Sequence, residues 1–320
     1  MLGCLIPFAL TQTYIGTLRE TGETIVPMKA GIVAFFANLL LDYSLIFGKF
    51  GFPELGVRGA AIATVIARIA EVAVVMAWAH SHTAEKPFIR GVYRSFHVPM
   101  DLVKEVIKKG TPLLLNETLW AGGMAMLVRC YSSRGLVVVA GINIATTLSN
   151  MFSIVYIAMG SAIGIILGQL LGAGKMEEAV DTDRKLIFFS VASCLGVAIL
   201  MIIVSPFFPQ IYNTSDDVKY IAAWIIRVLA VCMPLNAFMN STYFTLRSGG
   251  KTIVTFLFDS FYIWVVDIPA AILLINYTDW NVILVYFLVQ MMEIVKCIIG
   301  YVLVKKGVWL NNMTIKAANS

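Results

Sequence analysis

The chain has 320 residues, of which 59% are hydrophobic and 13% are charged, and its mean hydropathy is +0.83. This composition excludes an ordinary soluble globular domain and predicts a polytopic membrane protein. The formal net charge of +5 does not indicate nucleic-acid binding, because the basic residues form no clusters interleaved with aromatic residues.

Polar residues divide the chain into nine apolar runs, and each approaches the length of about 20 residues that a membrane-spanning helix needs. We therefore predict an all-α fold with nine transmembrane helices. The five cysteines fall inside these runs without a Cys-x-x-Cys pair, so we predict neither a disulfide framework nor a zinc site. The runs lie near residues 1–18, 25–48, 56–79, 101–131, 135–171, 185–207, 217–246, 252–276 and 280–305.

Two short segments of the chain are alike. Residues 18–26 (LRETGETIV) and residues 246–254 (LRSGGKTIV) match at six of nine positions. Each segment ends an apolar run with Leu-Arg and then turns on a glycine, where a left-handed backbone costs least. In each, a threonine is placed to cap the next helix. We interpret them as equivalent hairpins in two related units.

Lysine and arginine residues predict the orientation in the membrane. Assigned to alternate sides, those in the connections number 16 on one side and 5 on the other. Cytoplasmic loops carry the excess of Lys and Arg. The C-terminus is therefore expected in the cytoplasm and residue 1 outside.

We predict that several polar residues inside the runs have a structural role in holding helices together. Asn38 and Asp42 lie one helical turn apart, and we interpret them as a hydrogen-bonded pair that joins neighbouring helices. Two acid and base pairs, three residues apart, are interpreted as neutralised ion pairs. They are Arg68 with Glu71 and Glu293 with Lys296.

Glu117, in the fourth run, is the strongest chemical signal. It lies roughly 10 Å from the cytoplasmic end, counting about 1.5 Å per residue from Gly110. An ionisable group at such depth is by default a functional residue, able to take up and release a proton. The alternative is a protonated carboxyl that makes one interhelical hydrogen bond, and we expect Asn116 and Thr118 to be its hydrogen-bonding neighbours.

Later helices supply further polar groups at comparable depth. On the seventh run Asn236, Asn240 and Tyr243 recur at three- and four-residue spacing and predict one inward-facing stripe. Asp259 and Asp267 follow on the eighth run. We expect these helices to enclose a cavity for a cation, with aromatic faces toward an organic cation. The predicted substrate-cavity residues are Asn116, Trp120, Asn143, Asn150, Tyr156, Asn240 and Tyr243, and Tyr262 and Trp264 are further aromatic candidates.

Taken in order, these segments resemble the multidrug and toxic compound extrusion (MATE) family of cation-coupled antiporters. The resemblance implies two six-helix lobes, of which this chain supplies the fourth to twelfth helices. Residues 1–79 would then be the rest of an N-terminal lobe and 80–100 a cytoplasmic linker, with a complete C-terminal lobe at 101–306 and a cytoplasmic tail at 307–320. The resembling segments are 18–27, 38–48, 53–64, 116–120, 168–174 and 246–252.

The resemblance also assigns cation-coupling residues. The family's coupling glutamate falls on Glu117, with a possible Na+ near it. The acidic partner that many members carry falls on Asn236, which puts a two-carboxylate sodium site in doubt. Asp259 and Asp267 complete the predicted set.

We thus predict a secondary active antiporter that exports amphipathic or cationic drugs or metabolites in exchange for H+ or Na+ by alternating access. No enzyme is predicted, since paired Asp-rich or His motifs at catalytic spacing are missing from the sequence. The expected setting is the cell membrane, with lipid and a small organic substrate as partners, no cofactor beyond the coupling ion, and a monomeric state. Two alternatives remain: a lipid-linked oligosaccharide flippase of the same superfamily, and an inactive truncated transporter.

The spacing of the hairpins predicts a longer reading frame. Leu18 and Leu246 lie 228 residues apart, so the first unit should open about 128 residues before Met1 if the second opens near Asp101. Three restored helices would bring nine to twelve and move the N-terminus inside, in agreement with the charge count. We expect the DNA upstream of Met1 to continue in frame, and the 320-residue chain alone to transport poorly. In-frame stop codons close before Met1, together with active efflux by this chain, would contradict this.

Overall fold

A computed structural model of the protein describes residues 4–83, 89, 91–92 and 98–311. In this part of the chain nine long helices follow one another and no strand occurs, which confirms the predicted all-α fold. A 3-10 turn, Phe208–Ile211, precedes the seventh helix. The helices are α1 (Leu5–Glu20), α2 (Ile25–Ile46), α3 (Val57–Ser81), α4 (Met100–Ser132), α5 (Leu136–Gly172), α6 (Met176–Val204), α7 (Asp216–Ser248), α8 (Thr252–Tyr277) and α9 (Val282–Lys305).

Seven of the described helices, α2, α3 and α5 to α9, are long and apolar enough to cross a bilayer. Helices α1 and α4 do not meet this criterion of length and apolar composition, for different reasons. Helix α1 has 16 residues, fewer than the roughly 20 that span the hydrocarbon core. Helix α4 has 33 residues but carries several charged side chains in its first turns. The protein is therefore a multi-pass membrane protein.

The chain forms two compact units, Met1–Val98 and Pro99–Ser320. In the first unit, α1 and α2 pack on α3 around a small core that includes Leu18, Ala30 and Val75. Most of the predicted linker 80–100 and residues 312–320 of the predicted tail lie outside the described residues. The start of that tail is packed, since Trp309 is buried beside Leu246 in the second unit.

Helices α5 and α7 make the most extensive helix contact of the second unit. Small residues on α5 allow this close approach, because a Cβ at Gly160 would lie 2.0 Å from Asn240 Oδ1 and one at Gly141 would lie 2.7 Å from Ile221 Cγ2. Helices in lipid gain stability mainly from such tight packing. The large apolar core between α5, α6 and α7 is built on this contact.

The two predicted hairpins turn as expected, with left-handed backbone at Gly22 (φ +89°) and Gly250 (φ +73°). The predicted threonine caps are wrong. Thr24 occupies the N-cap of α2 without a side-chain hydrogen bond, and Thr252 is the first residue of α8, behind the N-cap Lys251. The same type of glycine closure also ends α5 and α9, so the turn is a general device for ending helices in this chain.

In the first unit one predicted pair forms and the other does not. The Arg68 guanidinium contacts the Glu71 carboxylate at 2.7 Å, as expected. The interpretation of Asn38 and Asp42 as a hydrogen-bonded pair is wrong at the atoms that would join them, since Asn38 Nδ2 and Asp42 Oδ1 are buried and make no hydrogen bond. Spacing on one face brings side chains near one another but does not orient their polar atoms.

Replacing Gly160 with alanine is expected to destabilise the protein by about 1–3 kcal/mol, because the added methyl group collides with Asn240 and Phe244 on α7. The measurement is the thermal unfolding midpoint in detergent. Gly168→Ala is the matched control on the same helix, because a Cβ added at Gly168 has no neighbouring atom within 4 Å. Equal midpoints for the two variants would show that α5 and α7 do not pack as described.

Candidate ion-coupling site

Asn116 joins α4 to α8. Its side chain is almost fully buried, and its Nδ2 donates to Asp259 Oδ2 at 3.1 Å. The Ser260 hydroxyl donates to Asn116 Oδ1 at 2.8 Å and to its backbone carbonyl at 2.6 Å. Both ends of the amide are thus used in contacts with α8, as a buried amide requires.

Lys296 joins α8 to α9. Its side chain is only 5% exposed, and its ammonium lies 3.0 Å from Glu293 Oε2 and 3.7 Å from Asp259 Oδ1. It also lies 5.4 Å from the centre of the Tyr262 ring, and the Tyr262 hydroxyl donates to the Met292 carbonyl at 2.7 Å. Because a buried charge must be paired to persist, the carboxylates of two helices meet at this ammonium.

An irregular helix brings Asp267 toward the same group. Two turns of an α-helix take about 7.2 residues. Because Asp259 and Asp267 are eight residues apart, their side chains would point in different directions from a regular α-helix. Helix α8 instead contains two π-helical segments, Leu257–Phe261 and Ile263–Asp267, whose wider turns add residues. Asp267 is 3% exposed and lies within electrostatic range of Glu293, Lys296 and Asp259. Its Oδ1 has no hydrogen-bond partner.

Tyr243 connects α7 to this network. Its hydroxyl lies 3.5 Å from Asn116 Nδ2, and the Arg247 guanidinium is within electrostatic range of the phenol. Glu117 and Asp259 are both within electrostatic range of the phenol. Tyr243 therefore stands between the buried network and the charged end of α7.

Glu117, the leading sequence candidate, lies beside the network and not within it. Its side chain is exposed in the second unit. The expected hydrogen bonds from its neighbours are wrong: Asn116 bonds to α8, and the Thr118 hydroxyl donates to Leu114 O in its own helix. Successive helical residues point about 100° apart, so Asn116 and Glu117 face different surroundings. Glu117 remains a predicted coupling residue.

The predicted stripe on α7 is divided between two neighbours. Tyr243 reaches α4, whereas Asn240 packs against Gly160 of α5 with its Oδ1 buried and without a partner. Asn236 is half-buried. The expectation of a single inward stripe is therefore wrong, because α7 is enclosed by helices on several sides.

The remaining cavity candidates lie apart from this network's hydrogen bonds. Tyr156 packs against the apolar core, and Asn143 and Asn150 are exposed on α5. Trp120 is exposed on α4. The ring of Trp264 covers Gly122 and Gly123, and its Nε1 donates to Leu119 O at 2.9 Å, so its indole N–H is used in joining α4 to α8.

Two polar groups were missed by sequence reasoning. Ser260 had no signal beyond its position next to Asp259. Asp183, near the start of α6, is buried and accepts a hydrogen bond of 2.7 Å from Thr245. Asp183 lies just before the apolar run at 185–207, among several charged residues, so its burial had no signal in the sequence. The Glu293 and Lys296 pair was found, but its link to Asp259 was not.

Two surface grooves occur elsewhere in the second unit. One of about 470 Å³ lies between α7 and α9. The other, of about 250 Å³, lies between α4 and α8. None of the predicted site residues lines either groove. In the described part of the chain, no group of three His, Cys, Asp or Glu side chains is arranged to hold a metal ion.

The fold and this network define a polytopic helical membrane protein with an internal group of charges shared by several helices. The MatE family model matches residues 112–273, just over half of the chain, so the protein belongs to the MatE family. It is similar to the probable multidrug resistance protein NorM of Thermotoga maritima, at 25% identity over 84% of this chain and 57% of the relative. It is also similar to the probable multidrug resistance protein YoeA of Bacillus subtilis, at 25% identity over 87% of this chain and 60% of the relative.

Solved structures share the fold. The Vibrio cholerae MATE transporter VcmN in its bent form superposes with a TM-score of 0.81 at 18% identity, over 97% of this chain and 68% of that one. The chain spans less than two thirds of the length of the two curated relatives.

Replacing Asn116 with alanine is expected to cost about 1–3 kcal/mol, because Asp259 loses a donor and the Ser260 hydroxyl loses a buried acceptor. At roughly 2–4 °C per kcal/mol for a unit of this size, thermal unfolding detects the loss. The control is Thr118→Ala, an exposed position whose hydroxyl bonds within its own helix. A similar, small change in both variants would contradict a buried network around Asn116.

Proposed function

We propose that the protein is a secondary active antiporter of the cell membrane, with its C-terminus in the cytoplasm. It exports amphipathic or cationic organic compounds in exchange for H+ or Na+ by alternating access. Two relatives carry the name of multidrug resistance proteins, and membership of the MatE family supports the same activity here.

The observation that carries the proposal is the buried network of Asn116, Asp259 and Lys296. Intramembrane ionisable groups are costly and persist mainly where they serve ion or substrate pathways. The family match covers α4 through most of α8, and so includes Asn116, Glu117, Asp259 and Asp267. The network therefore lies largely in the segment that defines the family.

The network can convert ion binding into helix movement. Asp259 contacts Asn116 on α4 and Lys296 on α9, so its charge acts on both helices. Neutralising that carboxylate weakens its attraction to the ammonium and to the amide N–H. The attraction that holds α8 to α4 and α9 then weakens, although the coupling ion does not enter the apolar core.

Glu117 is the carboxylate best placed to receive the coupling ion first. It is exposed while its neighbour Asn116 is buried, and Tyr243 lies within electrostatic range of both Glu117 and Asp259. A change of charge at Glu117 is thereby felt at the phenol that borders the buried network. The exposed Glu117 admits the ion, and the partly buried Asp259 responds.

The experiment is efflux from proteoliposomes that contain the 320-residue chain, with ethidium as the cationic probe and with an imposed H+ or Na+ gradient. Because the 320-residue chain is expected to transport poorly, even weak gradient-driven efflux that collapses with an ionophore supports the proposal. Absence of efflux from folded, correctly reconstituted protein under both gradients contradicts the proposal for this chain.

Glu117→Gln is expected to reduce gradient-driven efflux at least about tenfold, equivalent to about 1.4 kcal/mol, and to flatten its dependence on pH. The amide keeps the shape of the side chain but cannot bind or release a proton. Asp101→Asn is the control, since Asp101 is an exposed acid in the first turn of the same helix. If Glu117→Gln retains wild-type efflux with the same pH dependence, the assignment of Glu117 is wrong.

A further inference from the structure

The acidic group between α8 and α9 already contains a cation. Lys296 is the buried ammonium, and two carboxylates contact it: Glu293 at 3.0 Å and Asp259 at 3.7 Å. The Asp267 carboxylate lies within electrostatic range of it. Of the described lysines that form ion pairs, Lys296 has the least exposed side chain, at 5%. Its ammonium therefore supplies the positive charge where acids from two helices meet.

The remaining contacts already engage one oxygen of Asp259 and the Asn116 amide, while Asp267 Oδ1 has no hydrogen-bond partner. Asp259 Oδ2 accepts from Asn116, whose Oδ1 accepts from Ser260. The Tyr262 ring covers the ammonium, and its hydroxyl is used in the bond to Met292 O. Sodium binding requires several oxygen ligands around one point. A second cation at that point would also be repelled by the ammonium at short range and low dielectric.

We infer that Lys296 is a fixed internal cation that occupies the ion position of the α8 and α9 acids and excludes Na+ from it. The consequence that this network responds to protons rests on the proposed function, whereas the exclusion of Na+ rests on the contacts alone. A proton can neutralise a carboxylate without coordination by further ligands, so it is the cation that this crowded group admits.

Groups on four helices act on the charge of this network. Most of the acids and the ammonium lie on α8 and α9, while the Tyr243 phenol near Asn116 and the Arg247 guanidinium lie on α7. Any dependence on pH belongs to the group as a whole, since closely placed sites titrate together. The titratable and charged members are Glu117 and Tyr131 on α4, Cys232, Tyr243 and Arg247 on α7, Asp259, Tyr262 and Asp267 on α8, and Glu293, Lys296 and Cys297 on α9.

The test is the thermal unfolding midpoint of the purified 320-residue chain in NaCl and in choline chloride at equal ionic strength. For the wild-type protein we expect the same midpoint in both salts. Lys296→Met removes the internal cation and exposes its position to Na+. This variant is expected to gain at least about 2 °C in NaCl over choline chloride, as a ligand that binds the folded state stabilises it.

Three further variants make the result specific. Adding Asp259→Asn to Lys296→Met should abolish the Na+ response and raise the midpoint above that of Lys296→Met alone, because one of the acids left without the ammonium is neutralised. Lys296→Arg keeps the charge and should show no Na+ response, which tests the inference even if Lys296→Met does not fold. Lys305→Met is the control, an exposed lysine on the same helix.

Two results would overturn the inference. One is a Na+-specific rise in the midpoint of the wild-type or Lys296→Arg protein that Asp259→Asn removes. The other is a folded Lys296→Met protein with equal midpoints in both salts. Neither result depends on transport, so a failure of the proposed export activity would leave this measurement decisive.

Discussion

The candidate site depends on one interaction, the pairing of the Lys296 ammonium with the carboxylates around it. A lysine inside a membrane protein is tolerated only where opposite charges and polar groups surround it, and removal of one partner leaves an uncompensated buried charge. Here the partners come from different helices: Glu293 shares α9 with the lysine, and Asp259 lies on α8. Because Asn116 holds Asp259 in turn, a single buried charge fixes the relation of α4, α8 and α9.

Close packing of helices sets the distances that this network needs. A Cβ at Gly123 of α4 would lie 2.6 Å from Ile263 Cγ2 on α8, so the two backbones approach more closely than larger residues would permit. Side chains as short as Asn116, Asp259 and Ser260 can therefore meet. In lipid, where apolar surface alone does not drive helices together, small residues and interhelical hydrogen bonds act jointly. The glycines and the polar network on α4 form one packing arrangement.

The sequence was sufficient for what depends on composition and local conformation. Apolar runs predicted the nine described helices, and the glycines at 22 and 250 adopt the expected left-handed backbone. The polar partners were not predictable in the same way, since they depend on the rotational phase of each helix. A uniform period of 3.6 residues fails across the π-helical segments of α8. It also says nothing about which neighbour a residue meets, as Asn240 and Tyr243 show.

The two acid and base pairs illustrate the difference between a local motif and a site. Arg68 with Glu71 and Glu293 with Lys296 share the same three-residue spacing, and both pairs form. The Arg68 side chain is 40% exposed, whereas that of Lys296 is 5% exposed and meets a second acid from another helix. Water reaches the Arg68 guanidinium and screens its attraction to Glu71, which lowers the contribution of that pair. The spacing that both pairs share specifies an ion pair, and only the packing of α8 against α9 makes one of them part of a charge network that spans several helices.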